Sequence, residues 1–266
     1  MTIFQSLLFA LVSLFASIAG AICGIGGGVI IKPVLDLFGW ESVTTISFLS
    51  GCTVLSMSTY SVFKSLSSKE KSVDLSTGTP LAIGAAVGGI IGKQMFSTIK
   101  AMFENPNTVG AVQAACLTVM TIGTLVYTLK KESIRTHKVT SKMACVIIGC
   151  ILGILSSFLG IGGGPINLVV LFYFFSMETK IAAANSLYII LFSQITSFLS
   201  TLITRTVPNF TVITLVLMVS GGILGGMLGR KINKKIESKT VDKLFIGLMA
   251  IIILISIYNT IKYTIV

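Results

Sequence analysis

Residues 24–28 read Gly-Ile-Gly-Gly-Gly, and residues 160–164 read the same, 136 positions later. Each run follows an apolar stretch and precedes a short one, 29–38 and 165–176. At 1.5 Å per residue, helices of that length fall well short of a bilayer core about 30 Å thick. A second pattern repeats at almost the same distance. Gly84, Gly88, Gly89, Gly92 and Lys93 return as Gly221, Gly225, Gly226, Gly229 and Arg230, an offset of 137. Glycine is common in membrane helices, but two different motifs sharing one offset leave coincidence a poor explanation. The chain therefore reads as two related membrane halves, 1–129 and 143–266, joined by a basic cytoplasmic linker, 130–142.

The rest of the sequence agrees with a membrane setting. Only 11% of its residues are charged, against about 25% in a soluble domain. Apolar segments run over 3–22, 43–66, 78–98, 108–129, 142–159, 179–203, 210–229 and 243–263, besides the two short ones. This predicts an all-α polytopic membrane protein. The net charge of +11 sits in short runs between these segments. It is read as a topology signal with some attraction to anionic lipid, not as a nucleic-acid surface. The first twenty residues lack a basic leader and are read as a retained membrane segment. Five scattered cysteines and one histidine, His137, form no metal-binding spacing, and no soluble-enzyme constellation is present. No metal, cofactor or catalytic activity is expected.

Charge decides between two topologies. If each glycine-broken unit crosses once, 10 of the 20 basic residues fall on each side. If each unit enters and returns, Lys64, Lys69, Lys71, the linker cations, Lys180 and the run Arg230–Lys243 all share one side. That side then holds 15, leaving Lys32, Lys93, Lys100, Arg205 and Lys262 opposite. The positive-inside rule favours the second arrangement. It predicts an inverted repeat, each half a glycine-broken re-entrant hairpin plus three transmembrane helices, with both termini non-cytoplasmic.

A turn at mid-membrane needs protein or a wet cavity around its backbone groups. Glycine runs allow positive φ and close approach, and Pro165 suits the first turn of a helix. The half-helix that follows aims free N–H groups and a positive dipole end at the membrane centre, which favours an anion. Gly26, Gly27, Gly28, Gly162, Gly163 and Gly164 are therefore candidate substrate-binding residues. Nearby polar residues join them: Asn167, Asn185, Ser186, and Ser50 at the 136 offset from Ser186. These either bind oxyanion oxygens or staple helices. Lys32 and Gln194 are weaker candidates, and Lys32 can also snorkel to the surface. Asp36 and Glu41 read as interfacial. The glycines spaced by four, 84–92 and 221–229, read as helix-packing positions.

The two glycine turns, Pro33 and Pro165, Asn185-Ser186 and the Gly-Gly-x-x-Gly-Lys/Arg endings resemble the sulfite exporter TauE/SafE family over nearly the whole chain. That resemblance implies a plasma-membrane transporter of small anions: sulfite, organosulfonates or related sulfur-containing or organic acids. It carries over the two turns, Asn185-Ser186 and Ser50. The first half departs from the pattern, with Leu49 where the second has Asn185 and Pro33 displaced relative to Pro165. The second half is thus expected to supply more side-chain contacts. The leading expectation is a secondary transporter, with a proton or sodium ion as candidate coupling ion. An anion channel and a non-transporting membrane scaffold are the alternatives. The substrate, the direction of transport and the oligomeric state are not specified by the residues.

Overall fold

The computed structural model describes residues 2–67, 73–103, 106–161 and 163–265. Lys69, Lys71 and Gly162 lie outside the described residues. Ten α-helices follow in order: α1 (Ile3–Cys23), α2 (Gly28–Phe38), α3 (Val43–Leu66), α4 (Leu75–Met102), α5 (Pro106–Lys130), α6 (Lys142–Leu159), α7 (Pro165–Phe175), α8 (Thr179–Ile203), α9 (Val212–Lys235) and α10 (Ser238–Ile265). No strand occurs among the described residues. All but α2 and α7 are long and apolar enough to cross a membrane, eight in all. The other two have 11 residues each.

The helix ends follow from local chemistry. Thr2 caps α1 in a capping box with Gln5, and Ser42, Asp74 and Ser141 accept N–H groups at the starts of α3, α4 and α6. Desolvation alone would raise the Asp74 carboxyl, but hydrogen bonds from Ser76 and Thr77 together outweigh it and hold the group below its usual range. Several helices outrun the apolar segments that mark them. α4 extends at both ends, α9 continues to Lys235, and α10 starts at Ser238. Apolarity marks the part in lipid, whereas lysine-rich flanks are good helix formers and carry the helix into water.

Packing runs across the halves. α4 lies along α6, where a Cβ on Gly84, Gly88 or Gly92 would strike the carbonyls of Val146, Cys150 and Ile154. α9 lies along α1 in the same way, with Gly221, Gly225 and Gly229 against the carbonyls of Ala10, Leu14 and Ile18. Small residues let the two backbones touch, which is how helices associate where lipid removes the hydrophobic drive. The packing role expected of both rows is what the structure has. Ser6 and Thr214 share a hydrogen bond of 2.8 Å near one end of the α1–α9 pair, and Asn233 donates to Ile22 O at the other. At the linker side, Lys131 meets Asp242 at 2.6 Å and Thr179 donates to the same carboxylate at 3.0 Å. This joins the end of α5 to the starts of α8 and α10. Large apolar side chains such as Phe15, Val119 and Leu254 stay exposed, as lipid contact requires.

Candidate functional site

The first glycine turn closes tightly on α1. Gly24, at φ 76°, ends the helix, and its N–H and that of Ile25 both reach Gly20 O, at 2.8 and 3.1 Å. Gly26 takes φ 73°. Both are left-handed positions that strain any other residue. Gly27 departs from the positive φ expected of the run: at φ −69° it is right-handed and precedes α2 without a side-chain cap. Its constraint is space, since a Cβ there would sit 3.0 Å from Ser17 Oγ.

The second turn follows the same plan with different strain. Gly160, at φ 65°, ends α6, and Gly163 sits at φ 117°. Gly164 is extended, and Pro165 opens α7 as expected. A Cβ on Gly163 would overlap the Ile190 side chain.

The two turns touch. A Cβ on Gly28 would overlap the Ile161 carbonyl, and one on Gly164 would come 3.6 Å from Val29 Cγ2. The starts of α2 and α7 are therefore neighbours, and neither carries a side-chain cap. Asn167 stands beside Gly163, 1% exposed, its Oδ1 without a partner among the described residues. The hydroxyls of Ser50 and Ser186, both 0% exposed, likewise have no partner there. A void of about 10 Å³ at the second turn, lined in part by Thr121, Ser156 and Asn167, has room for about one water. It is too small for a sulfur oxyanion.

Other candidates lie elsewhere. Asn185 staples helices: its Oδ1 accepts the Asp74 N–H at 3.2 Å and its amide donates to Ile181 O at 2.9 Å. Gln194 sits opposite Gly51 on α3. Lys32 does not snorkel. Its Nζ pairs with Asp36 Oδ2 at 3.3 Å, and both residues are 4% exposed. Asp36, read as interfacial from its place near the end of a segment, is thus buried, because α10 covers it with Asn259 and Lys262, which donate to the carbonyls of Pro33, Asp36 and Leu37. The Lys32 Cε also lies 3.7 Å from where a Cβ on Gly160 would be.

A further cavity is bordered by cations that the sequence alone marks only as topology signals. This cavity, about 330 Å³, opens where α1, α3 and α9 end and α8 begins, and Lys180, Arg230 and Lys234 border it. Ala183 on its wall packs against Gly24. Arg230 also donates to Ser61 O and Lys64 O, both at 3.1 Å. Arg230 also stands where Lys93 recurs at the 137 offset.

Eight helices long and apolar enough to span, with two short helices whose starts touch, make a polytopic membrane protein, and comparisons with known proteins make it a transporter. The chain belongs to the sulfite exporter TauE/SafE family, which matches residues 9–256. It is 26% identical over 222 residues to the "Probable membrane transporter protein YunE" of Bacillus subtilis (strain 168), covering 74% of this chain and 78% of that one. No solved structure matches.

Proposed function

We propose that this transporter moves a small anion, such as sulfite, an organosulfonate or a related sulfur-containing or organic acid, across the plasma membrane. The anion binds near mid-membrane between the two glycine turns. The observation that carries this reading is the meeting of two half-helix starts, uncapped by side chains, beside the unpartnered Asn167 Oδ1. Backbone N–H groups at such starts suit an oxyanion, and an amide supplies donors once it turns. The small void there means that helices separate to admit the anion.

We read the halves as an inverted repeat, each with a re-entrant hairpin. Trp40, just past α2, stacks on Phe9 of α1 at 6.0 Å while Gly27 packs on Ser17, so α2 runs back along α1. α3 meets α8 with opposite sense, Gly51 facing Gln194 and Phe48 facing Phe198. With the basic side inward, both termini are non-cytoplasmic. Reporter fusions at each end are expected to read as external. A cytoplasmic C-terminus would overturn this topology.

Uptake into proteoliposomes of sulfite, sulfate, thiosulfate and small sulfonates, with and without a proton or sodium gradient, tests the activity. Saturable flux of at least one anion is expected. Flux that never saturates and follows voltage alone would make the protein a channel, and none at all would leave a scaffold. Gly27→Ala is the cleaner probe of the turns, since its backbone suits alanine and the crowding is confined to Ser17 and Ile31, which must give by only a few tenths of an ångström. It should fold and bind the transported anion about tenfold more weakly, a loss of about 1.4 kcal/mol. Gly163→Ala should also lose stability, because φ 117° and Ile190 both oppose a Cβ. Anion-dependent thermal stabilisation in detergent measures both, and unchanged binding in folded Gly27→Ala would defeat the backbone cradle.

A further inference from the structure

A second, much smaller cavity, about 40 Å³, lies at the other ends of α3 and α8. The repeat relates seven of the eleven residues that line each cavity. At offset 136, Ala21 corresponds to Ser157, Ser61 to Ser197 and Ser65 to Thr201; likewise Ser47 corresponds to Ala183, Phe48 to Ala184 and Gly51 to Leu187. At offset 137, Lys93 corresponds to Arg230. Residues brought to matching positions by an internal repeat line one cavity of 330 Å³ and one of 40 Å³. The difference has a visible cause. Where the large cavity has Ala184, the small one has Phe48, whose ring lies 6.2 Å from Phe198 and 5.3 Å from Phe210. At roughly 10–15 Å³ for each water, the first has ample room for a hydrated anion, whereas the second holds only about three waters.

We propose that the cavities headed by Arg230 and Lys93 are the two mouths of one anion path, opened alternately, and that this structure is open at Arg230 and shut by Phe48 and Phe198 at Lys93. Each cation draws a small oxyanion into its own mouth by charge-assisted hydrogen bonds. Arg230, held against the carbonyls at the end of α3, presents its charge at a fixed point. Lys93, on the matching turn of α4, does so when the aromatic pair parts. The anion assignment rests on the transport reading above, whereas the alternation of the two mouths does not.

Cys52 lines the small cavity and supplies a native probe. A protein retaining only Cys52, with the other four cysteines changed to Ala, is compared with a cysteine-free protein carrying Ala184→Cys in the large cavity. Both are exposed in proteoliposomes to a membrane-impermeant cationic methanethiosulfonate. Cys52 is expected to label slowly and Ala184→Cys quickly, from opposite faces. Phe48→Ala should speed labelling of Cys52 and, in the same step, slow that of Ala184→Cys severalfold. Faster labelling of Cys52 with no change at Ala184→Cys means two independent pits and overturns the alternation. For the cations, Arg230→Gln and Lys93→Gln should each raise the half-saturating sulfite concentration about tenfold, about the worth of one hydrogen bond to a charged group. Each should do so only for sulfite arriving at its own face. Arg230→Lys should restore most of the effect. Half-saturation unchanged in both Gln variants overturns the role of the cations. Reciprocal labelling without flux of any anion would keep the two mouths and discard the anion reading instead.

Discussion

Changing Lys32 to Met is expected to cost about 3–5 kcal/mol of stability, the range for removing one partner of a buried ion pair. The Asp36 carboxylate loses its one cationic side-chain partner at 3.3 Å, and its Oδ1 already lacks a hydrogen bond among the described residues. Asp36→Leu should be comparably damaging, since it strands the ammonium. The double variant Lys32→Met/Asp36→Leu should recover most of the loss, because a buried pair replaced by apolar groups is often neutral. Trp40 is the chain's one tryptophan. It stacks on Phe38 at 4.8 Å just past α2, so its emission during thermal melting in detergent reports on the same helix. A double variant no more stable than either single one would mean the two charges are not coupled.

The glycine rows carry the second large effect. A Cβ on Gly88 would overlap the Cys150 carbonyl, and one on Gly225 would approach Ser17 Cβ at 2.7 Å as well as the Leu14 carbonyl. Helix backbone cannot rotate aside as a side chain does, so the two helices must part along their length. Gly88→Ala and Gly225→Ala should each cost about 1–3 kcal/mol, and leucine more. Gly123 and Gly247 are internal controls, since nothing lies within 4 Å of a Cβ at either. Alanine there should be neutral or gain about 0.5–1 kcal/mol from helix preference. Melting temperatures of the four purified variants decide it. A Gly88→Ala protein as stable as Gly123→Ala would show that α4 and α6 do not touch through backbone.

The broken helices were legible because length and glycine runs are sequence properties. So was the packing role of Gly84–Gly92 and Gly221–Gly229, since spacing of four defines a helix face. The fate of single polar side chains was not. Asn185 and Asn167 look alike as intramembrane amides, yet one is occupied by Asp74 and Ile181 while the other keeps an acceptor with no partner among the described residues. Only the position of α4 against α8 separates them. Asp36 misled for a similar reason, because α10, more than two hundred residues later, is what buries it. Arg230 and Lys93 were visible as a repeated pair, but a cation at the end of a membrane helix has a topological explanation that hides any other.

The pairing of α1 with α9 sets the order in which the protein can be completed. Ser6 meets Thr214 across 208 residues of chain. At about 5–20 residues per second, α1 waits roughly 10–40 s in the bilayer before its partner is made. During that interval its glycine-matched face and its buried serines (Ser6, Ser13 and Ser17) have lipid or the insertion machinery for company. α6 meets no such delay, because α4 is already there when it emerges. The first half therefore lacks the partner of α1 until the second is made, and the α1–α9 contact is a late step in building this transporter.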